Sequence, residues 1–253
     1  MGRVGVVGGM LAVASMAMGC SPCPKGTCTV DLGEFQIAKP RGYKGGPAVV
    51  YLHGAGGSAE ESIDDDTITQ AFLDAGAMVA APVMQGQTWT IQSTTFGGRD
   101  EMAFHDQIRA ELGDRFDADT FFVAGFSLGA SVSWDLGCLR SADYDGIYSM
   151  SGHFWLPLPG CEGAAVSHTH WHGTEDNTFP IEGEEYFGNL QGHLFDAWDV
   201  LVDRGSCTST PSAREGCQSW VCEGGAELER CLDDYPHRRP QGWADDAVQA
   251  FGL

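Results

Sequence analysis

The chain has 253 residues, 43% of them apolar, and a formal net charge of −21. That length suits a single α/β domain with a sizeable core. Its 35 Asp and Glu residues argue against nucleic acid and against docking on anionic lipid by charge, since both partners present phosphates.

Residues 1–19 read as an export signal, with Arg3 followed by an apolar, small-residue run from Val4 to Met18. "AMGCS" at 17–21 looks like a bacterial lipobox, with Gly19 before Cys20, so Cys20 would be lipidated and become the mature N-terminus. Ala17 stands where leucine is usual, and the rival is ordinary cleavage after Ala17 with release of a soluble protein. Either route exports the chain, and a lipid at Cys20 would be its sole hold on a membrane. No later segment is long and apolar enough to span a bilayer.

Residues 20–30 read as a tether and 31–253 as the catalytic domain. "DLGEFQIAKP" (31–40) alternates and ends at proline, as an edge strand does. "PAVVYLHG" (47–54) and "GAMVAAPVM" (76–84) are buried strands, and 99–116 is a helix. "TFFVAGF" (120–126) is a strand that runs into a helix after Gly129. Residues 144–152 and 164–173 are further strands, and 183–205 is helical after Glu184. Residues 218–231 read as strand, turn and strand, and 243–252 as a closing helix. Apolar strands alternating with helices predict a mostly parallel sheet covered on both faces, with reacting groups beyond the carboxyl ends of the strands.

The turns after those strands carry the chemistry. "GFSLG" (125–129) is a Gly-x-Ser-x-Gly between a strand and a helix, the context of a nucleophile elbow, which makes Ser127 the candidate nucleophile. "HGAGGS" (53–58) follows an earlier strand, and the amides of Ala55 and Leu128 would form an oxyanion hole. "HGTEDNTFP" (172–180) offers Asp176 as the acid, with Glu175 as its rival. "YPHRRPQGW" (235–243) offers His237 as the base, on a loop after the last strand. The order Ser, acid, His is the one this architecture uses. His193, the other histidine after Asp176, falls within the expected helix, where it caps or packs.

These four segments resemble the polyhydroxybutyrate depolymerase / feruloyl esterase-type family of secreted α/β-hydrolases, over roughly residues 30–253. The resemblance implies Ser127 as nucleophile, Asp176 as acid and His237 as base. It implies esterase activity on hydroxyacyl polyesters or on feruloyl or acetyl groups of plant polysaccharides, without a cofactor. The family usually shows Gly-His-x-Trp-Pro at the base, whereas Pro236 precedes His237 here and Arg238, Arg239 and Pro240 follow. No long insertion follows 144–152, so no large lid is expected. The expected partner is an ester substrate, small or polymeric, and the expected state a monomer.

Rival readings are a zinc site at His168, His170 and His172, a peptidase of the same fold, and a ligand-binding lipoprotein without catalysis. The zinc reading is disfavoured because a parallel strand buries both faces, and no metal is expected. Trp155 and Trp171 lie just past strand ends and Trp89 in the loop after residues 76–84, and the three are candidates for lining a substrate pocket, with plain packing as the alternative.

Nine cysteines less Cys20 leave an even set, which fits disulfides outside the cytoplasm. If 223–225 is the loop of a hairpin, Cys222 faces Ala226 and Cys217 faces Cys231, within reach of a disulfide. A two-residue Gly-Gly loop would set Cys217 opposite Leu232 instead. Cys222 is then left for Cys207, and Cys138 with Cys161 and Cys23 with Cys28 remain as default pairs.

Overall fold

The computed structural model describes residue 23 and residues 26–253; the export signal, Cys20 and most of the expected tether lie outside the described residues. In chain order the strands are β1 (Thr27–Val30), β2 (Gly33–Ala38), β3 (Gly46–Leu52), β4 (Met78–Pro82), β5 (Ala118–Phe126), β6 (Gly146–Met150), β7 (His168–Gly173), β8 (Glu185–Tyr186), β9 (Asn189–Leu190), β10 (Thr208–Thr210), β11 (Cys217–Val221) and β12 (Glu227–Asp233). The helices are α1 (Ala59–Asp64), α2 (Asp66–Asp74), α3 (Glu101–Phe116), α4 (Leu128–Leu139), α5 (Leu194–Arg204) and α6 (Trp243–Phe251).

Ten strands form one sheet in the order β1-β2-β4-β3-β5-β6-β7-β12-β11-β10, while β8 and β9 make a separate hairpin. From β4 to β12 every neighbouring pair is parallel, and the flanking strands are antiparallel. Continuous apolar runs make the central strands because both faces are covered. Val49 and Tyr51 of β3 pack with α2 and α6, whereas Ala48 and Val50 pack with α3 and Leu52 with α4. Residues 128–138 of α4 are buried all round, as expected of a helix wedged against the sheet centre. No helix among the described residues is long and apolar enough to cross a membrane.

Three sequence expectations change. The segment 31–40 is not at the edge: β1, placed by sequence in the tether, pairs outside β2, with Cys28 opposite Phe35. Both of those side chains are buried, and a disulfide from Cys23 to Cys28 fastens the segment. Residues 185–193 are not helical. Phe187 and Gly188 take left-handed backbone, which turns the chain into the β8–β9 hairpin, and α5 begins only after His193. His193 caps α5, its Nδ1 accepting from the Phe195 amide at 3.2 Å. Third, α1 and α2 were illegible because the acidic run 60–66 blurs their periodicity. Their caps carry the signal: the Ser58 hydroxyl accepts from the Glu61 amide, and Asp65 accepts from the Thr67 amide.

The hairpin register is the one that the three-residue loop dictates. Cys217 lies opposite Cys231, and the Cys222 amide donates to the Ala226 carbonyl. The four bridges are Cys23–Cys28, Cys138–Cys161, Cys207–Cys222 and Cys217–Cys231, which is the expected pairing.

Candidate active site

Ser127 stands where β5 ends and α4 begins, in left-handed backbone at φ 58° and ψ −124°. A non-glycine residue is held in that conformation only by its surroundings. Here the Ser127 amide donates to the Met150 carbonyl at 2.9 Å, and its carbonyl accepts from the Ser131 amide. The flanking glycines are required by close approach. A Cβ on Gly125 would meet the Ser133 hydroxyl and the Gly129 carbonyl, and one on Gly129 would meet the Leu52 carbonyl.

Three side chains from three loops converge. Ser127 Oγ lies 2.9 Å from His237 Nε2, and His237 Nδ1 lies 2.7 Å from Asp176 Oδ2. With the ring proton on Nδ1 donated to the carboxylate, Nε2 is free to accept from the serine hydroxyl. Asp176 Oδ1 accepts from the amides of Thr178 (2.9 Å) and Phe179 (2.8 Å). Burial alone would raise the pKa of Asp176. The His237 hydrogen bond, then the Phe179 amide, the His237 charge and the Thr178 amide outweigh it and hold the carboxyl below its ordinary range. Glu175 is exposed, and its amide is spent on the Tyr235 carbonyl. The structure therefore brings Asp176, not Glu175, to His237.

The turn 54–57 closes with the Gly57 amide on the Gly54 carbonyl at 3.2 Å, with Gly56 at φ 75°. It rests against the serine: a Cβ on Gly54 would come within 3.0 Å of Ser127 Cβ. Leu128 opens α4, so its amide has no carbonyl one turn back to bond. Beneath the turn, His53 Nδ1 donates to the Gly54 carbonyl at 2.9 Å, and Trp89 Nε1 donates to the His53 carbonyl at 2.9 Å.

The three tryptophans do not line a pocket. Trp89 and Trp155 are 0% and 1% exposed, because the indole of each is consumed in packing and one hydrogen bond, Trp155 Nε1 to Ser131 Oγ. Trp171 faces the opposite layer, where its Nε1 donates to Asp246. The open walls are other residues. A cleft of about 670 Å³ beside Leu128 and Ala55 is bounded by Met84, Phe96, Tyr186 and Phe187. Phe187, at the hairpin tip, is 78% exposed. Trp155 supports this wall from below through its edge contact with Phe96. The sequence missed it because a two-residue strand pair leaves no periodicity to read.

The alternating histidines of β7 form a hydrogen-bonded string, not a set of free ligands. His172 Nε2 donates to the Phe179 carbonyl (2.7 Å), His172 Nδ1 faces His170 Nε2 (3.1 Å), and His170 Nδ1 and His168 Nε2 each meet Ser149 Oγ (2.7 Å). Burial holds all three rings below the ordinary histidine value. Among the described residues, the grouping with metal-ligand proximity is Cys217, Glu229 and Cys231, whose two sulfurs are joined to each other.

A family model described as phospholipase/carboxylesterase matches residues 96–196. Feruloyl esterase C of Emericella nidulans is 27% identical over 180 residues, 65% of this chain and 64% of that protein, so the match spans just under two thirds of the relative. A probable feruloyl esterase C of Aspergillus terreus is 26% identical over 82% of this chain and 81% of its own length. Among solved structures, an acetyl xylan esterase from Aspergillus awamori superposes with a TM-score of 0.63 at 14% identity, covering 87% of this chain and 93% of that one. A Bacillus cereus carboxylesterase gives 0.54 at 15% identity, covering 86% and 92%. The structural likenesses fix the fold.

Proposed function

We propose that this chain, an α/β-hydrolase of the esterase family, cleaves carboxylic esters through an acyl-enzyme on Ser127. The observation that carries the reading is the unbroken hydrogen-bond chain from Asp176 through His237 to Ser127. Ser127 Oγ attacks the ester carbonyl carbon while its proton passes to His237 Nε2. Asp176 stabilises the imidazolium and keeps its Nδ1–H oriented. The amides of Ala55 and Leu128 take the developing oxyanion. The bond from carbon to the alkoxy oxygen then breaks, and His237 returns the proton to that oxygen. Water attacks the acyl carbon and gives a proton to His237; the carbon–Oγ bond then breaks as His237 passes that proton to Ser127 Oγ, which releases the acid and restores Ser127.

Hydrolysis of p-nitrophenyl acetate with chelator present tests this, together with labelling by a fluorophosphonate and mapping of the labelled peptide. Label on Ser127 and loss of turnover in Ser127→Ala are expected. Wild-type turnover in Ser127→Ala would refute the reading. The relatives named above are a feruloyl esterase and a probable one, and the A. awamori structure is of an acetyl xylan esterase, which makes feruloyl and acetyl esters the first substrates to try. Rates on methyl ferulate, p-nitrophenyl acetate and a polyhydroxybutyrate film rank the acyl classes.

The enzyme works outside the cytoplasm, held by lipid at Cys20. Four disulfides that use every cysteine after Cys20 support export. Mass spectrometry of the mature N-terminus decides the anchor: an unmodified end at Met18 would mean a freely secreted protein.

A further inference from the structure

A polar ring is tolerated in a core where its nitrogens find partners. Strand alternation puts His168, His170 and His172 of β7 on one face of the sheet, where Trp134 of α4 covers the first two. Ser149 of β6 lies opposite His170 in the strand register. His168 is 2% exposed and the other three are fully buried. Burial keeps the rings neutral, so each carries one ring proton.

The partners fix where each proton sits. The Phe179 carbonyl only accepts, so His172 holds its proton on Nε2 and presents Nδ1 as an acceptor. His170 must then donate to that Nδ1 from its own Nε2, at 3.1 Å, which leaves His170 Nδ1 as an acceptor. The Ser149 hydroxyl, 2.7 Å away, fills it. The Ser149 oxygen in turn accepts from Trp134 Nε1 at 3.0 Å and from His168 Nε2 at 2.7 Å. Every proton of the string thus points toward Phe179. Reversing His170 or His172 alone would set two lone pairs or two N–H groups face to face.

We propose that His170, backed by Ser149, is a positioning residue for the catalytic acid: it sets the tautomer in which His172 holds Phe179, and through Phe179 the carboxylate of Asp176; this rests on the esterase reading above. The link is short. The carbonyl of Phe179 takes the His172 proton, and the amide of Phe179 donates to Asp176 Oδ1 at 2.8 Å. His172 Nε2 also lies 3.9 Å from Asp176 Oδ2, the oxygen that holds His237. In the other tautomer that nitrogen would turn a lone pair toward both the carbonyl and the carboxylate. The turn that carries the acid would lose a donor and gain a repulsion.

Long-range proton–nitrogen correlation spectra of the full chain, with isotope-labelled histidine at pH 8, read the tautomer of each ring. His170 and His172 should both carry the proton on Nε2; a proton on Nδ1 of either would overturn the proposal. His170→Phe keeps a ring and removes both of its hydrogen-bonding atoms. His172 should then shift toward the Nδ1–H tautomer, and kcat for p-nitrophenyl acetate should fall about fivefold with KM within about twofold. His170→Gln, which can place an N–H where Nε2 stood, should return kcat to within about twofold of wild type. Counting turnover per site labelled by the fluorophosphonate cancels any loss of folded enzyme. Unchanged kcat in His170→Phe, or equal loss in the two variants, would mean that the ring serves packing alone. The wild-type spectrum decides the direction of the string even where His170→Phe does not fold. Ester hydrolysis with the wrong tautomer would sink the role of His170 and leave the esterase reading standing, whereas no hydrolysis by the wild type would remove both.

Discussion

His172 Nε2 lies 3.9 Å from Asp176 Oδ2 and donates to the carbonyl of Phe179, the residue whose own amide holds Asp176 Oδ1. One buried ring therefore braces the turn that carries Asp176. His172→Leu leaves the Phe179 carbonyl unpaired and should lower kcat by roughly tenfold or more with KM little changed. His172→Gln, which keeps a donor, should recover most of that loss. Equal loss in the two variants would show that the ring serves packing alone.

Asp176→Asn should cut kcat by about 10⁴, because the imidazole loses the partner that fixes its tautomer. Glu175→Gln should stay within about twofold, since that side chain is exposed and lies apart from His237. The reverse result would move the acid to Glu175.

Acid should unfold the protein early. His105 and His168 are pushed down to about 3 by burial, from an ordinary value of 6.5, and burial also lowers His53, His153, His170 and His172. Between those limits the unfolded chain binds protons that the folded chain refuses. Stability then falls as pH drops from 6.5 toward 3, by about 1.4 kcal/mol per pH unit for His105 and for His168, and the other rings act in the same direction. Asp176 adds to the loss at lower pH, once the pH falls through its depressed folded value. Thermal melts at pH 7, 6 and 5 should show Tm descending steadily; a flat profile would contradict this account.

Mild reduction should lower turnover before it unfolds the domain. Cys217–Cys231 ties β11 to β12, and Cys231 lies six residues before His237. Activity and near-ultraviolet circular dichroism followed together during titration with a thiol would decide it. Simultaneous loss of the two signals would mean that the bridge serves the whole fold and not the base.

The central strands and the turn that holds Ser127 were legible because each rests on a local device. A run such as "AVVYL" must be buried on two faces, and Gly125 and Gly129 must be glycine for Ser127 to sit where it does. The disulfide register followed from the length of one loop, with Cys217 set opposite Cys231 by counting. What stayed hidden depends on distant contacts. Arg239 was seen as a departure at the base, yet nothing local says that it meets Asp65 and Tyr51, which lie 174 and 188 residues away. The hairpin at 185–190 reads as helix because Leu190 and Leu194 are four apart, and only its left-handed turn overrules that spacing. Trp89 and Trp155 looked like pocket residues for want of knowing that His53 and Ser131 bond their indole nitrogens.

The turn at Ala55 is a ridge shared by two clefts, one beside Leu128 and one beside Arg239, since Ala55 and Gly57 line both. Phe187 stands on one slope and Arg239 on the other. Selectivity should accordingly be modular. Phe187→Ala and Arg239→Leu should each alter preference among esters, and the free-energy changes of the double variant should add to within about 0.5 kcal/mol. Such separability lets drift or design retune one slope while the other keeps its specification. A large coupling energy in that double-mutant cycle would mean that the two slopes sense each other across the ridge.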